Sequence, residues 1–290
     1  MAFLTTRDGT NLRWKELGEG RPVILIHGWP LSSDSWDPIM MQLADNGYRA
    51  IAYDRRGFGR SDHAKTGYDY DTFADDLADV MKATGATDDV ALVGFSMGGG
   101  EIARYMSRHG GKGVSQAVLV SSVVPYMLKT DDNPDGVPQS TFDEMTKGMK
   151  TSFRSFFTDF FGDFYGDGWV KDKVSDEEKR WAWNTTMQAS QYATLQSAGA
   201  FANTDFRPDL DSFTVPTLVI HGTADKTVPI DATGRAVADK VETARLIEYD
   251  GEPHAVFATQ TDRLAKDILE FLGGGMRGRD DATAQMALNG

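Results

Sequence analysis

Ser96, Asp225 and His254 are the residues whose types and settings best suit covalent chemistry. Ser96 lies in GFSMGGG (94–100), with Gly94 and Gly98 two positions to either side. A serine hydroxyl is too weak an acid to attack a carbonyl unaided. It needs a base, and the base needs an orienting carboxylate. VALVGFS (90–96) reads as a buried strand and MGGGEIARYMSRHG (97–110) as a helix, so Ser96 falls on the sharp turn between them. Such a turn strains the serine backbone and leaves room only for small neighbours. The other use of clustered glycines, a phosphate loop, is disfavoured: GFSMGGG has neither the dinucleotide spacing nor a P-loop lysine.

The base must follow in a loop that can reach Ser96. His109 ends the helix that the serine opens, nearly 20 Å away at ~1.5 Å per residue. His221 closes the strand VPTLVIHG (215–222) and is expected to pack or to support a loop. His254, in DGEPHAVF, follows the last strand and precedes the last helix, where functional loops gather. It is the expected base. Asp225, three residues beyond the 215–222 strand in IHGTADKTVP, is the expected acid. Asp231 better fits the start of the next helix, where a carboxylate complements the dipole. The 116–122 strand is followed by VSSVVPYM, which holds no carboxylate. Oxyanion donors are expected from the backbone N–H of Met97 and from the loop HGWPLSSDSW, where Trp29 can donate and Pro30 cannot. The side chains of Trp29 and Met97 are expected to line the substrate pocket. His27 and Gly28 read as structural, with Gly28 permitting the turn.

Several elements must hold these residues. Residues 3–7 and 11–17 flank Asp8–Gly9 as a hairpin. VILIHG (23–28), YRAIAYD (48–54), VALVGFS and QAVLVSS (116–122) read as strands. They alternate with helices, one after a Ser35 or Asp34 cap and stopped by Gly47, and one over 71–85. Alternation of this kind predicts parallel βαβ units. It stops over 125–214, a stretch rich in Phe, Trp, Tyr and Met that reads as mostly helical. Strands return at 215–222 and 244–250, before one last helix over about 255–272. The reading is one α/β core from 1–124 and 215–272, a helical cap over 125–214, and a flexible tail at 273–290. Among the cap aromatics most are expected to be core. Phe157 and Phe161 are the expected pocket lining, which favours small apolar acyl or aryl groups.

The chain has 290 residues, enough for one large core. Its 43 acidic and 30 basic residues give a formal net charge of −13, with no basic block, which argues against nucleic acid and anionic membrane surfaces as partners. Cysteine is absent, so disulfides and thiolate–metal sites are excluded. MAFLTTRDGT lacks a signal-peptide core, and no apolar run approaches the ~20 residues of a membrane span; the simplest location is the cytoplasm.

Together, HGWP, YDRRGFGRSD, GFSMGGGEIARY, HGTADKTVP and GEPHAVF resemble the α/β-hydrolase superfamily, and within it the cofactor-free haloperoxidase, perhydrolase and aryl-esterase group. The likeness runs from about residue 3 to 272. It implies an eight-stranded, mostly parallel sheet with a helical cap, and Ser96, Asp225 and His254 as a triad with Trp29 and Met97 N–H groups at the oxyanion. It implies no cofactor and no metal: an acyl-enzyme forms from a small ester and is cleaved by water, or by hydrogen peroxide to give a peracid that oxidises halide. Two departures stand out. Phe58 replaces a His or Tyr and is expected to alter the site's outer edge. Glu252 precedes His254 by two residues and is expected to face water. Arg55 and Arg56 read as structural pairs. Lactone or amide cleavage on the same triad, and a slow-turnover small-molecule receptor on the same fold, are the alternatives. The natural substrate and any homo-oligomeric state are left open.

Overall fold

The computed structural model describes residues 2–170 and 174–274. Its core is one eight-stranded sheet in the order β1-β2-β4-β3-β5-β6-β7-β8. The strands are β1 Ala2–Thr5, β2 Asn11–Leu17, β3 Arg21–Ile26, β4 Tyr48–Tyr53, β5 Val90–Phe95, β6 Val114–Val120, β7 Thr217–Gly222 and β8 Ala244–Tyr249. β1 and β2 form the expected hairpin, with Gly9 at φ +89°, and β2 pairs antiparallel with β4. From β4 onward every pairing is parallel. The inner strands β5 and β7 are buried along their whole length, as unbroken apolar runs require when helices cover both faces.

Helices α1 Asp37–Asp45, α2 Tyr70–Thr84 and α3 Met97–Arg108 pack on the first half of the sheet. α2 starts where the Asp69 carboxylate accepts from Thr72 N–H at 2.9 Å, and stops at Gly85 in the left-handed region. It buries Phe73, Leu77, Val80 and Met81, the stripe its sequence spacing demands. The cap of α1 differs from the expectation. Ser32 caps a short 3₁₀ turn over Ser33–Trp36, and α1 begins after it with Pro38 in its first turn and no side-chain cap.

Between β6 and β7 lie α4 Gln139–Tyr165, bent at Ser152, α5 Asp176–Gln188 and α6 Gln191–Asn203. α7 Gly234–Lys240 joins β7 to β8. The single last helix expected over 255–272 is two, α8 Val256–Thr259 and α9 Thr261–Gly274. They break at Gln260, whose backbone leaves the helical region and whose side chain donates to Glu252 at 2.7 Å. Of the tail expected from 273, Gly273 and Gly274 continue α9, and residues 275–290 lie outside the described residues. Among the described residues, no helix is long and apolar enough to cross a membrane.

Candidate active site

Ser96 occupies the turn from β5 to α3 with φ +52° and ψ −117°, a strained conformation for a residue with a side chain. Its N–H donates to Val120 at 2.8 Å, and its carbonyl accepts from Gly99 at 3.0 Å and Val123 at 3.3 Å. The glycines of GFSMGGG are explained by space. A Cβ on Gly94 would lie 2.6 Å from the Gly98 carbonyl oxygen, and one on Gly98 would lie 2.5 Å from that of Ile26. A Cβ on Gly99 would meet Ser122 Oγ at 2.0 Å, and one on Gly100 would meet the Tyr70 ring at 2.5 Å. α3 therefore starts pressed against β3 and its neighbours, and this raises the Ser96 hydroxyl above the sheet.

Ser96, His254 and Asp225, far apart in sequence, form one hydrogen-bonded chain. His254 Nε2 is 2.9 Å from Ser96 Oγ, and His254 Nδ1 is 2.6 Å from Asp225 Oδ2. The carboxylate can only accept when ionised, so Nδ1 carries the proton and Nε2 is free to take one from Ser96. Thr227 and Val228 N–H groups donate to Asp225 Oδ1 at 2.9 and 2.8 Å. Burial alone would raise the Asp225 pKa. The charge of protonated His254 and hydrogen bonds from His221 and His254 outweigh it, and hold the carboxyl at about 2. The His254 ring is walled by Phe95 at 4.9 Å and Phe164 at 5.1 Å between centroids.

The rival residues go elsewhere. His109 stacks on Tyr105 and bonds Asp75 at 2.8 Å. Asp231 lies three residues before α7 and pairs with Arg235 at 2.6 Å. Glu252 does not face water; it is buried and accepts from Gln260. Phe58 lies inside the molecule and not at the site's outer edge, with its ring edge-on to His27 and near the Arg55 guanidinium. Arg55 and Arg56 are structural pairs as expected. Arg55 bonds Glu101 of α3 and the His27 carbonyl, and Arg56 makes a two-pronged pair with Asp76 at 2.6 and 2.7 Å. Arg55, just after β4, thereby links α3 to the loop after β3. His27 braces that loop further: Nε2 accepts from Arg55 N–H at 3.0 Å and Nδ1 donates to the Gly28 carbonyl at 2.9 Å. Gly28 is needed for space, not for a left-handed turn, since a Cβ there would sit 2.5 Å from the Phe95 ring.

Ser96 and His254 open into an apolar cavity of about 190 Å³. Trp29, Val123, Met127, Phe142, Phe160 and Phe201 supply much of its wall. Trp29 is where it was expected, its indole N–H donating to the Thr194 carbonyl at 3.0 Å. Met97, Phe157 and Phe161 do not line the cavity: all three side chains are buried in the core. On α4, Phe157, Phe161 and Phe164 form the stripe at i, i+4 and i+7 that faces inward, while Phe160 turns to the cavity. That spacing was the available signal. Met127, Phe142 and Phe201 come from separate segments of the 125–214 stretch, and no local pattern brings them together. A wider cleft of about 780 Å³ near Arg13, Lys15 and Asp34 is polar and holds none of the three chained residues.

The family model described as α/β hydrolase fold matches residues 21–261. A non-haem chloroperoxidase of Kitasatospora aureofaciens is 44% identical over 94% of this chain and 99% of its own. A bifunctional esterase/perhydrolase of Acinetobacter calcoaceticus is 39% identical over 94% of this chain and 99% of its own. The crystal structure of a bromoperoxidase from Bacillus anthracis superposes with a TM-score of 0.89 at 37% identity, covering 93% of this chain and 99% of that one. The chain belongs to the α/β-hydrolase family, in its group of non-haem haloperoxidases and perhydrolases.

Proposed function

We propose that this protein is a serine hydrolase of small carboxylic esters that works through an acyl-enzyme on Ser96. The observation that carries the reading is the unbroken chain from Ser96 Oγ through His254 to Asp225, opening into an apolar cavity. His254 Nε2 takes the Ser96 proton as Oγ attacks the ester carbonyl, while Asp225 holds the Nδ1 proton and stabilises the imidazolium. The backbone N–H groups of Met97 and Trp29 receive the tetrahedral oxyanion. Two features support these donors. As the first residue of α3, Met97 has no acceptor one turn back in its helix, and Trp29 lines the same cavity as Ser96. The imidazolium returns its proton to the departing alcohol. His254 then activates water, which cleaves the acyl-enzyme and releases the acid.

Hydrogen peroxide can replace water in the second half, giving a peracid; the similarity to an esterase/perhydrolase and a non-haem chloroperoxidase supports this activity. The cavity's size and apolar wall select short acyl or small aryl groups. Residues 125–214 serve as the cap over the 1–124 and 215–272 core. The test is hydrolysis of short p-nitrophenyl esters with and without peroxide, with peracid trapped by a halide-dependent dye. Ester turnover together with a peroxide-dependent dye signal is expected. Turnover without peracid would leave a plain esterase, and binding without turnover would refute the enzyme reading.

A further inference from the structure

Asp225 has a second histidine partner. His221, next to last in β7, is fully buried. Its Nε2–H donates to the Val228 carbonyl oxygen at 3.0 Å, and Asp225 Oδ2 lies 3.2 Å from the same nitrogen. Both neighbours are acceptors, so Nε2 carries a proton. Among the described residues, Nδ1 is buried without a hydrogen-bond partner. A proton there would be an unpaired buried donor, so the setting favours the Nε2–H tautomer. Gly234 of α7 closes over this side of the ring, where a Cβ would come within 2.8 Å of Nδ1. Val228 completes the unit: its N–H donates to Asp225 Oδ1 and its carbonyl accepts from His221.

We propose that His221 is a positioning residue for the reaction, fixing the Asp225 carboxylate that orients His254 and drawing charge from the oxygen that His254 uses. The inference rests on the Ser96–His254–Asp225 reading above. Both histidines meet the same oxygen, His254 at 2.6 Å and His221 at 3.2 Å. The His221 N–H, 3.2 Å from Oδ2, places a partial positive charge beside the oxygen that draws on His254. The charged and titratable groups facing His221 are few. Asp225 lies on its own loop, with His254 beyond it. Across the sheet, Glu248 of β8 is opposite in register and is already tied to Arg235 of α7 at 2.8 and 2.9 Å.

The test compares His221→Phe, which removes the donor, with His221→Gln, which returns an N–H near the same place. Each is measured as a pH profile of kcat/KM on p-nitrophenyl acetate, beside Ser96→Ala, with folding followed by thermal melting. The Phe variant is expected to lose about ten-fold in kcat with KM little changed, and its acid limb to move up by roughly half a pH unit. The Gln variant is expected to recover both. A folded Phe variant with wild-type kcat and acid limb overturns the proposal, as does a folded Gln variant no better than Phe. Histidine ¹⁵N spectra of the wild type test it independently of any variant. They must show the His221 proton on Nε2, and a proton on Nδ1 overturns it. A dead Ser96→Ala beside an unaffected His221→Phe refutes this inference alone; a fully active Ser96→Ala refutes the triad reading beneath it.

Discussion

The Asp225 carboxylate is fully buried and still held charged, because two histidines and two backbone N–H groups converge on it. That same convergence fixes the tautomer of His254. Around this chain the aromatic side chains divide into two roles, and adjacent residues of α4 test the division. Phe160→Ala is expected to enlarge the cavity and raise kcat/KM for longer acyl chains, with a small change in Tm. Phe161→Ala is expected to cost about 3–5 kcal/mol of stability without widening substrate range, because it empties a core position. The check is a p-nitrophenyl ester chain-length series with melting curves; a longer-chain preference appearing in Phe161→Ala would reverse the assignment. At this scale Ser96, Asp225 and His254 were legible because each sits in a loop with a distinctive neighbourhood. Helical spacing marked most cap aromatics as core but did not say which one faces the cavity, and that one is Phe160 rather than Phe157 or Phe161. His221 was expected to pack or to support a loop, and it does bond the loop carbonyl of Val228, but nothing in IHG reveals its approach to the Asp225 carboxylate.

The turn between β5 and α3 depends on backbone meeting backbone. Gly98→Ala would press a methyl to within 2.5 Å of the Ile26 carbonyl oxygen, and no side-chain rotation relieves that contact. The variant is expected to lose about 1–3 kcal/mol or more, a fall in Tm of several degrees, and to lose activity as Ser96 is displaced. Melting and ester turnover measured together check this; an unchanged Tm would show that α3 can retreat from β3. The strands and α2 were legible because apolar runs, the Asp69 cap and the Gly85 stop all agree. The start of α1 and the division of the last helix were not. Ser32 caps a 3₁₀ turn that no periodicity announces, and the break at Gln260 depends on its bond to Glu252.

The inserted helices are fastened to three loops that leave the sheet, after β3, β4 and β8. Trp29 donates to Thr194 of α6, Ser190 N–H donates to the Gly57 carbonyl at 2.8 Å, and Ala255 N–H donates to the Phe164 carbonyl of α4 at 3.1 Å. The loop carrying Trp29 and the loop carrying His254 are thus held by the same insertion. Sequence located the insertion by the loss of strand signals, but cross-chain bonds of this kind have no local signature. Acid sensitivity follows from carboxylates held below their usual range, Asp225 and Asp34 among them. Asp225 is held at about 2, below its unfolded value near 3.8, so its contribution is complete above about pH 4 and is lost as pH falls through about 2. Asp34 is depressed likewise: burial would raise it, but hydrogen bonds and charge from Arg60 and Lys15 prevail. Stability is expected to decline as pH drops below about 4, and Asp225→Asn is expected to make the decline shallower. Urea unfolding between about pH 2 and 7 measures it; an equally steep decline in the variant would remove Asp225 from the account.

The most direct test of the account is to catch the acyl group. Enzyme mixed with p-nitrophenyl acetate and quenched in acid within the first turnover is digested and mapped by mass spectrometry. The account predicts one acetyl group on the peptide that contains Ser96, and neither acetyl group nor turnover in Ser96→Ala. Acetylation at another residue during turnover, or hydrolysis that survives in Ser96→Ala, would contradict it.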